Sequence, residues 1–226
     1  MIDTNKLLFR NKTSDKHIFN LVFNENEYKL KELSEKCIVV DIGAHIGSFS
    51  LKAYEMGSRN IYSFEANVHN SLICKYNCDQ YGIKVFNKAI RGNNRITSVC
   101  CCFNENNLPD IINYGGLAVG PGDDIEVMTL KDILGMVGGR INILKLDCEG
   151  SEYPIIFESD KDVFNNIKYI VGEVHPGVLP INFCDGFINN ANNLEEYLKQ
   201  LNYETKFIVN EASGFGHFFC KSKYSI

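Results

Sequence analysis

The run Asp41-Ile-Gly-Ala-His-Ile-Gly47, entered from the apolar Cys37-Ile-Val-Val40, reads as a buried strand that ends at an acid and turns into a helix beginning near Ile46. Two glycines supply the tight turn, and bare backbone at a helix start can cradle a small charged cofactor. Two nucleotide-type cofactors suit such a strand, turn and helix. A dinucleotide needs Gly-x-Gly-x-x-Gly so that the backbone can approach a pyrophosphate. Here the pattern is Asp-x-Gly-x-x-x-Gly, with an anion where a pyrophosphate binder would avoid one. An acid there suits a cationic ligand, and S-adenosylmethionine carries both a sulfonium and an ammonium group.

Outward from this turn, apolar runs alternate with stretches of helical period. Ile46 to Glu55 reads as a helix stopped by Gly57, Asn60 to Glu65 as a strand, Val68 to Tyr81 as a helix and Lys84 to Ile90 as a third strand. Strands separated by helices imply right-handed crossovers and a parallel α/β sheet. The rhythm breaks between Arg91 and Gly139, where β-rich pieces at Ile96 to Phe103 and Ile125 to Leu130 suggest a hairpin-like insertion lining a substrate pocket. It resumes with a strand at Ile141 to Asp147, a helix from Ser151 to Glu158 and a strand at Tyr169 to His175. Leu194 to Leu201 then reads as helical, with closing antiparallel strands at Thr205 to Val209 and His217 to Lys221. Ahead of all this, Ser14 reads as the N-cap of a helix over His17 to Phe23. Residues 1–36 are expected to form a cap or extension, and residues 37–226 one Rossmann-like domain carrying the insertion at about 91–139.

The strand ends collect the chemistry. Glu65, 24 residues beyond Asp41, stands where an acid can accept two hydrogen bonds from a ribose diol, a position shared by dehydrogenases and methyltransferases. In Lys145-Leu-Asp-Cys-Glu-Gly-Ser-Glu152, alternation puts Lys145, Asp147 and Glu149 on one side while the strand lasts. Glu152 fits the first turn of a helix, where the dipole favours an acid. Glu173 and His175 share a side of the next strand, beside Asp147 if the two strands are neighbours. A histidine of ordinary pKa, about 6.5, is largely neutral near pH 7 and could take a proton from a hydroxyl. His175 is therefore the first choice of base, with Asp147 or Glu173 as its orienter or replacement. A magnesium ion on Asp147, Glu149 and Glu173 is a less favoured alternative. His45, inside the turn, reads as a cofactor-loop residue, whereas His17, His69 and His217 keep no acidic company.

Composition narrows the class. In 226 residues the net charge of -5, with lysines scattered, gives no basic face for nucleic acid and favours a small acceptor. No stretch reaches the roughly 20 apolar residues of a membrane span. The first residues lack a leader pattern, so a cytoplasmic protein is expected. Nine cysteines, odd in number, read as reduced and mostly buried thiols; Cys74 with Cys78 and Cys100 to Cys102 form no Cys-x-x-Cys pair for zinc.

Val39-Val-Asp-Ile-Gly-Ala-His-Ile-Gly47, Phe64-Glu-Ala-Asn67 and, above all, Ile143-Leu-Lys-Leu-Asp-Cys-Glu-Gly-Ser-Glu152 together resemble the FkbM family of S-adenosylmethionine-dependent methyltransferases. Weaker echoes stand at Ser14-Asp15, Gly115-Gly116, Thr129 to Asp132 and Glu173 to His175. The resemblance implies a class I methyltransferase fold, a mostly parallel seven-stranded sheet with helices on both faces and a C-terminal antiparallel strand. It also implies O-methylation of a sugar or natural-product hydroxyl, leaving S-adenosylhomocysteine. On that resemblance Asp41, Gly43, Ala44 and Gly47 hold the methionine part, Glu65 the ribose, and Ala89 or its neighbours the adenine edge; His45, Ala66 and Asp147 complete the expected cofactor-binding set. His45 replaces the usual Asn, Ala66 the usual Pro, and no serine follows Gly115-Gly116. Two other readings keep the same turn: a non-catalytic S-adenosylmethionine-binding protein, and an NAD-dependent oxidoreductase, which lacks its third glycine here. Oligomeric state is not encoded legibly.

Overall fold

A computed structural model describes residues 1–95, 98–103, 117–176 and 190–224, with the backbone alone at 101–103 and 117–121. Its centre is β1 (Ile38–Ile42), whose near-continuous apolar run suits a strand covered on both faces. It lies parallel to β2 (Asn60–Phe64) on one side and to β8 (Ile141–Leu146) on the other. Outward from β2 comes β3 (Lys84–Phe86); outward from β8 come β9 (Ile167–Val174), β11 (Gly216–Ser222) and β10 (Tyr203–Val209). β11 runs antiparallel to both its neighbours. The result is a seven-stranded, mostly parallel sheet with helices on both faces.

Side-chain alternation splits the core in two. Val40, Ile42, Leu144, Leu146, Ile170 and Phe218 face α4 (Leu130–Met136), α5 (Glu152–Glu158), α6 (Lys161–Phe164) and α7 (Ala191–Gln200). Val39, Ile61, Ile143 and Val171 face α2 (Ser48–Glu55), α3 (Val68–Cys78) and the N-terminal segment with α1 (Asp15–Phe19). The capping residues match their work: Asn67 accepts from the N–H groups of His69 and Asn70, and Thr129 with Asp132 forms a capping box.

Several sequence expectations need correction. The expected strand Lys84 to Ile90 is two strands. Asn87 donates to the carbonyls of Glu65 and Ala66, and the chain bends there. Beyond the bend β4 (Ala89–Arg91) joins β7 (Ile125–Thr129), β5 (Ser98–Phe103) and β6 (Leu117–Pro121) in a second, four-stranded sheet. Leu130 opens α4 rather than ending a strand, because the capping box already starts a helix there. Ser14 sits at the N-cap of α1 but gives no side-chain cap, and the helix runs on into a wider turn over Asn20–Asn24. Ile96, Gly115 and Gly116, and most of the segment from Pro176 to Asn190, lie outside the described residues. Among the described residues no helix is long and apolar enough to cross a membrane.

Candidate active site

Parallel strands deliver their C-terminal ends to one edge, and open α/β sheets bind ligands there, where strand order reverses. Here the reversal falls between β1, which leads outward to β2, and β8. In register Asp41 lies beside Lys145, Leu146 beside Gly172, and the Asp147 N–H donates to the carbonyl of Ile42. Asp41, Asp147, Glu173 and His175 thus end adjacent strands.

The turn after β1 is fixed by packing. Gly43 has φ of 78°, and a Cβ there would lie 1.8 Å from the Asp147 carbonyl oxygen, so only glycine lets the turn pass β8. Gly47, at φ 93°, would drive a Cβ into the Cys78 and Cys74 sulfurs on α3. Gly43 and Ala44 both donate to the Phe64 carbonyl. Glu65, buried, accepts from the N–H of His45 at 2.8 Å and of Asn67 at 2.9 Å. Burial pushes its carboxyl upward, opposed by those two hydrogen bonds and by the charges of His45 and Lys145.

Asp41 has partners inside the protein. It is wholly buried, accepts from the Ser50 hydroxyl at 2.7 Å and meets the Lys145 ammonium at 3.2 Å. Its charge is therefore compensated from inside the protein. Lys145 also donates to the Gly43 carbonyl at 2.7 Å and reaches Asp147 at 3.3 Å, which ties the turn to both strands. Burial acts to lower the Lys145 ammonium, but Asp147 and Asp41 outweigh it and hold the group above its ordinary value.

His45, at φ 52°, puts its Nε2 3.3 Å from Asp15 and 3.2 Å from Arg10. Ala89 lies with Val99 and Ile125 in a small apolar cluster against Ala66 and Val127.

Around His175 the acids converge. Its ring is almost wholly buried, and Nδ1 lies 3.1 Å from Glu152, which also accepts from the N–H groups of Cys148 and Gly150. Glu152 thus holds the ring, where the sequence suggested Asp147 or Glu173. Nε2 instead faces Asp147, Glu149 and Glu173, each at 3.8 Å. Burial acts to lower the imidazole, but Glu152, Glu149 and Asp147 overcome this and push it up to about 10, so His175 carries a proton at neutral pH. Burial and neighbouring acids raise Glu149 to about 8 and Glu173 to about 7, against the pull of His175. Asp147 moves the other way: burial acts to raise it, but Lys145 and His175 hold it below its usual range.

The sequence reading did not place Tyr28, His217 or Glu152 at the site. Tyr28, buried, donates to Asp147 at 2.8 Å across 119 residues of chain. His217 pairs in register with Glu173 because β11 turns back along β9, and its ring packs on Tyr28. Glu152 gave a visible signal, its place three residues after Glu149, but that spacing equally suits a helix start.

The family described as Methyltransferase FkbM domain matches residues 41–205. No curated protein matches the chain in sequence. The structure is similar to methyltransferase FkbM from Methylobacillus flagellatus KT, at 13% identity and a TM-score of 0.53, over 88% of this chain and 47% of that one. It is also similar to an rRNA methylase from Streptococcus thermophilus, at 8% identity and a TM-score of 0.50, over 88% of this chain and 94% of that one. At these identities the likeness concerns the fold.

Proposed function

The chain belongs to the FkbM-domain family of S-adenosylmethionine-dependent methyltransferases, and from that membership we propose that it methylates a hydroxyl of a small acceptor, saccharide-containing or natural-product in kind. The observation that carries this reading is the meeting of Asp147, Glu173 and His175 beside the Gly43 turn, at the edge where this fold binds ligands.

The residues suit the cofactor. Glu65 spends one lone pair of each oxygen on backbone N–H groups, which leaves room for a ribose diol. The apolar patch of Ala66 and Ala89 suits a purine face. Gly43, Ala44, His45 and Gly47 would hold the methionine part by backbone, with Asp41 acting through Lys145 and Ser50 to keep that backbone in place. The cofactor supplies an electrophilic methyl group. The chain must align the acceptor oxygen and exclude water. Residues 1–36 act as a cap in this reading, through Asp15 and Arg10 on His45 and Tyr28 on Asp147.

Asp147, Glu173 and His175 hold the acceptor hydroxyl and take its proton, a contribution of about 10²- to 10⁴-fold. His175 can accept only after giving up the proton that its acidic neighbours favour. The free thiols at Cys37, Cys74, Cys78, Cys148 and Cys220 suit a reducing compartment, and we place the protein in the cytoplasm, acting on small molecules rather than nucleic acid. Calorimetry tests the reading: S-adenosylhomocysteine should bind, and labelled methyl should pass from S-adenosylmethionine to hydroxylated saccharides. Binding of a nicotinamide cofactor with no binding of S-adenosylhomocysteine would overturn it.

A further inference from the structure

We propose that Asp147, Glu173 and His175 form a binding site for one divalent cation, manganese or magnesium in kind, which holds the acceptor hydroxyl. The proposal deepens the methyl-transfer reading and rests on it for the cation's role, though not for its binding. One ligand atom from each residue lies within 4.8 Å of the other two. Bonds of about 2.1 Å from two donors to one cation span at most about 4.2 Å. The 3.8 Å separations from His175 Nε2 to Asp147 Oδ1 and to Glu173 Oε2 fall inside that reach. Three donors on one side of such a cation lie about 3 Å apart, so side-chain closure by about 1 to 2 Å would complete the set.

The arrangement differs from a plain group of surface acids. His175 is buried to more than nine-tenths, and Nε2 points among three carboxylates at 3.8 Å, beyond hydrogen-bond distance from each. Its Nδ1 is held by Glu152, itself wholly buried and fixed by two backbone N–H groups. A carboxylate behind a ligating histidine sets the ring's direction and strengthens the nitrogen facing the metal, and the cation takes the place of the Nε2 proton, which passes to water. Asp147 is prepared in the same way. Tyr28 and Lys145 engage Oδ2, and Oδ1 is left toward the cluster.

Imidazole in place of a third carboxylate makes the set less hard than the Asp147, Glu149 and Glu173 trio that the sequence suggested. It thus shifts preference toward manganese. Three protein ligands on one side leave positions open for an acceptor oxygen, whose proton a bound cation makes easier to lose.

The test uses the full chain stripped of metal. Titration with Mn²⁺, followed by its electron paramagnetic resonance signal, should show one saturable site per chain. Glu173→Gln and His175→Ala should each weaken it by about 10- to 100-fold. Glu173 is a third exposed at a strand end, so Glu173→Gln should keep the fold, which circular dichroism checks. No saturable binding by about 1 mM Mn²⁺, or equal binding in folded variants, overturns the site. Calorimetry with S-adenosylhomocysteine, run without metal, separates the two ideas: cofactor binding without Mn²⁺ binding removes the cation alone, and Mn²⁺ binding without cofactor binding removes the methyl-transfer reading alone.

Discussion

Lys145 shows how one side chain can organise a site. Buried between Asp41 and Asp147, it balances charge that the low-dielectric interior would otherwise penalise, and its third bond fixes the Gly43 carbonyl. Lys145→Met keeps the bulk and leaves Asp41 buried without its cation. It should cost about 3–5 kcal/mol of folding stability, read by urea denaturation. Adding Asp41→Asn should recover part of the loss; equal stability of the single variant and the wild type would remove Lys145 from this role. Sequence pattern put Lys145 and Asp147 on one side of a strand, because alternation is local. It could not tell that Asp41 faces Lys145, since that depends on which strand lies beside which.

At the scale of elements, the N-terminal segment closes over the turn by pairing. Asp15, wholly buried, accepts two bonds from the Arg10 guanidinium and one from its backbone N–H, with His45 at 3.3 Å. Burial acts to raise its carboxyl, but the bonds from His45 and Arg10 outweigh this and hold it well below the usual range. A lowered folded-state value means that the unfolded chain takes up the proton first. The stabilisation is therefore full above about pH 4, the unfolded value, and is lost as pH falls below it. The stability difference between wild type and Asp15→Asn should shrink between pH 5 and pH 3 in denaturant titrations; a difference independent of pH would contradict the pairing. The sequence signalled a helix at this place through its period, and Ser14 at its start. Asp15 carried no such signal, because its partners lie 5 and 30 residues away.

For the whole molecule, a ligand that binds only the folded state stabilises it by mass action. With S-adenosylhomocysteine at about 100 times its dissociation constant, the gain should be about 2.7 kcal/mol, seen as a rise in melting temperature. A melting temperature that ignores the ligand would tell against the cofactor assignment. The seven-stranded sheet was legible because the hydrophobic period switches between strand and helix, and parallel crossovers have one hand. The bend at Asn87 and the second sheet were not, because the side-chain hydrogen bonds at the bend and the partner β7 lie far along the chain. By itself the sequence determined the turn, its glycines, the acids at the strand ends and the family. Those are local patterns of spacing and alternation. Only the tertiary structure decided that Asp41 is neutralised from within, that Glu152 rather than Asp147 holds His175, and that acids gathered around His175 favour its protonated form. Each of those outcomes is an electrostatic balance among groups brought together from distant parts of the chain.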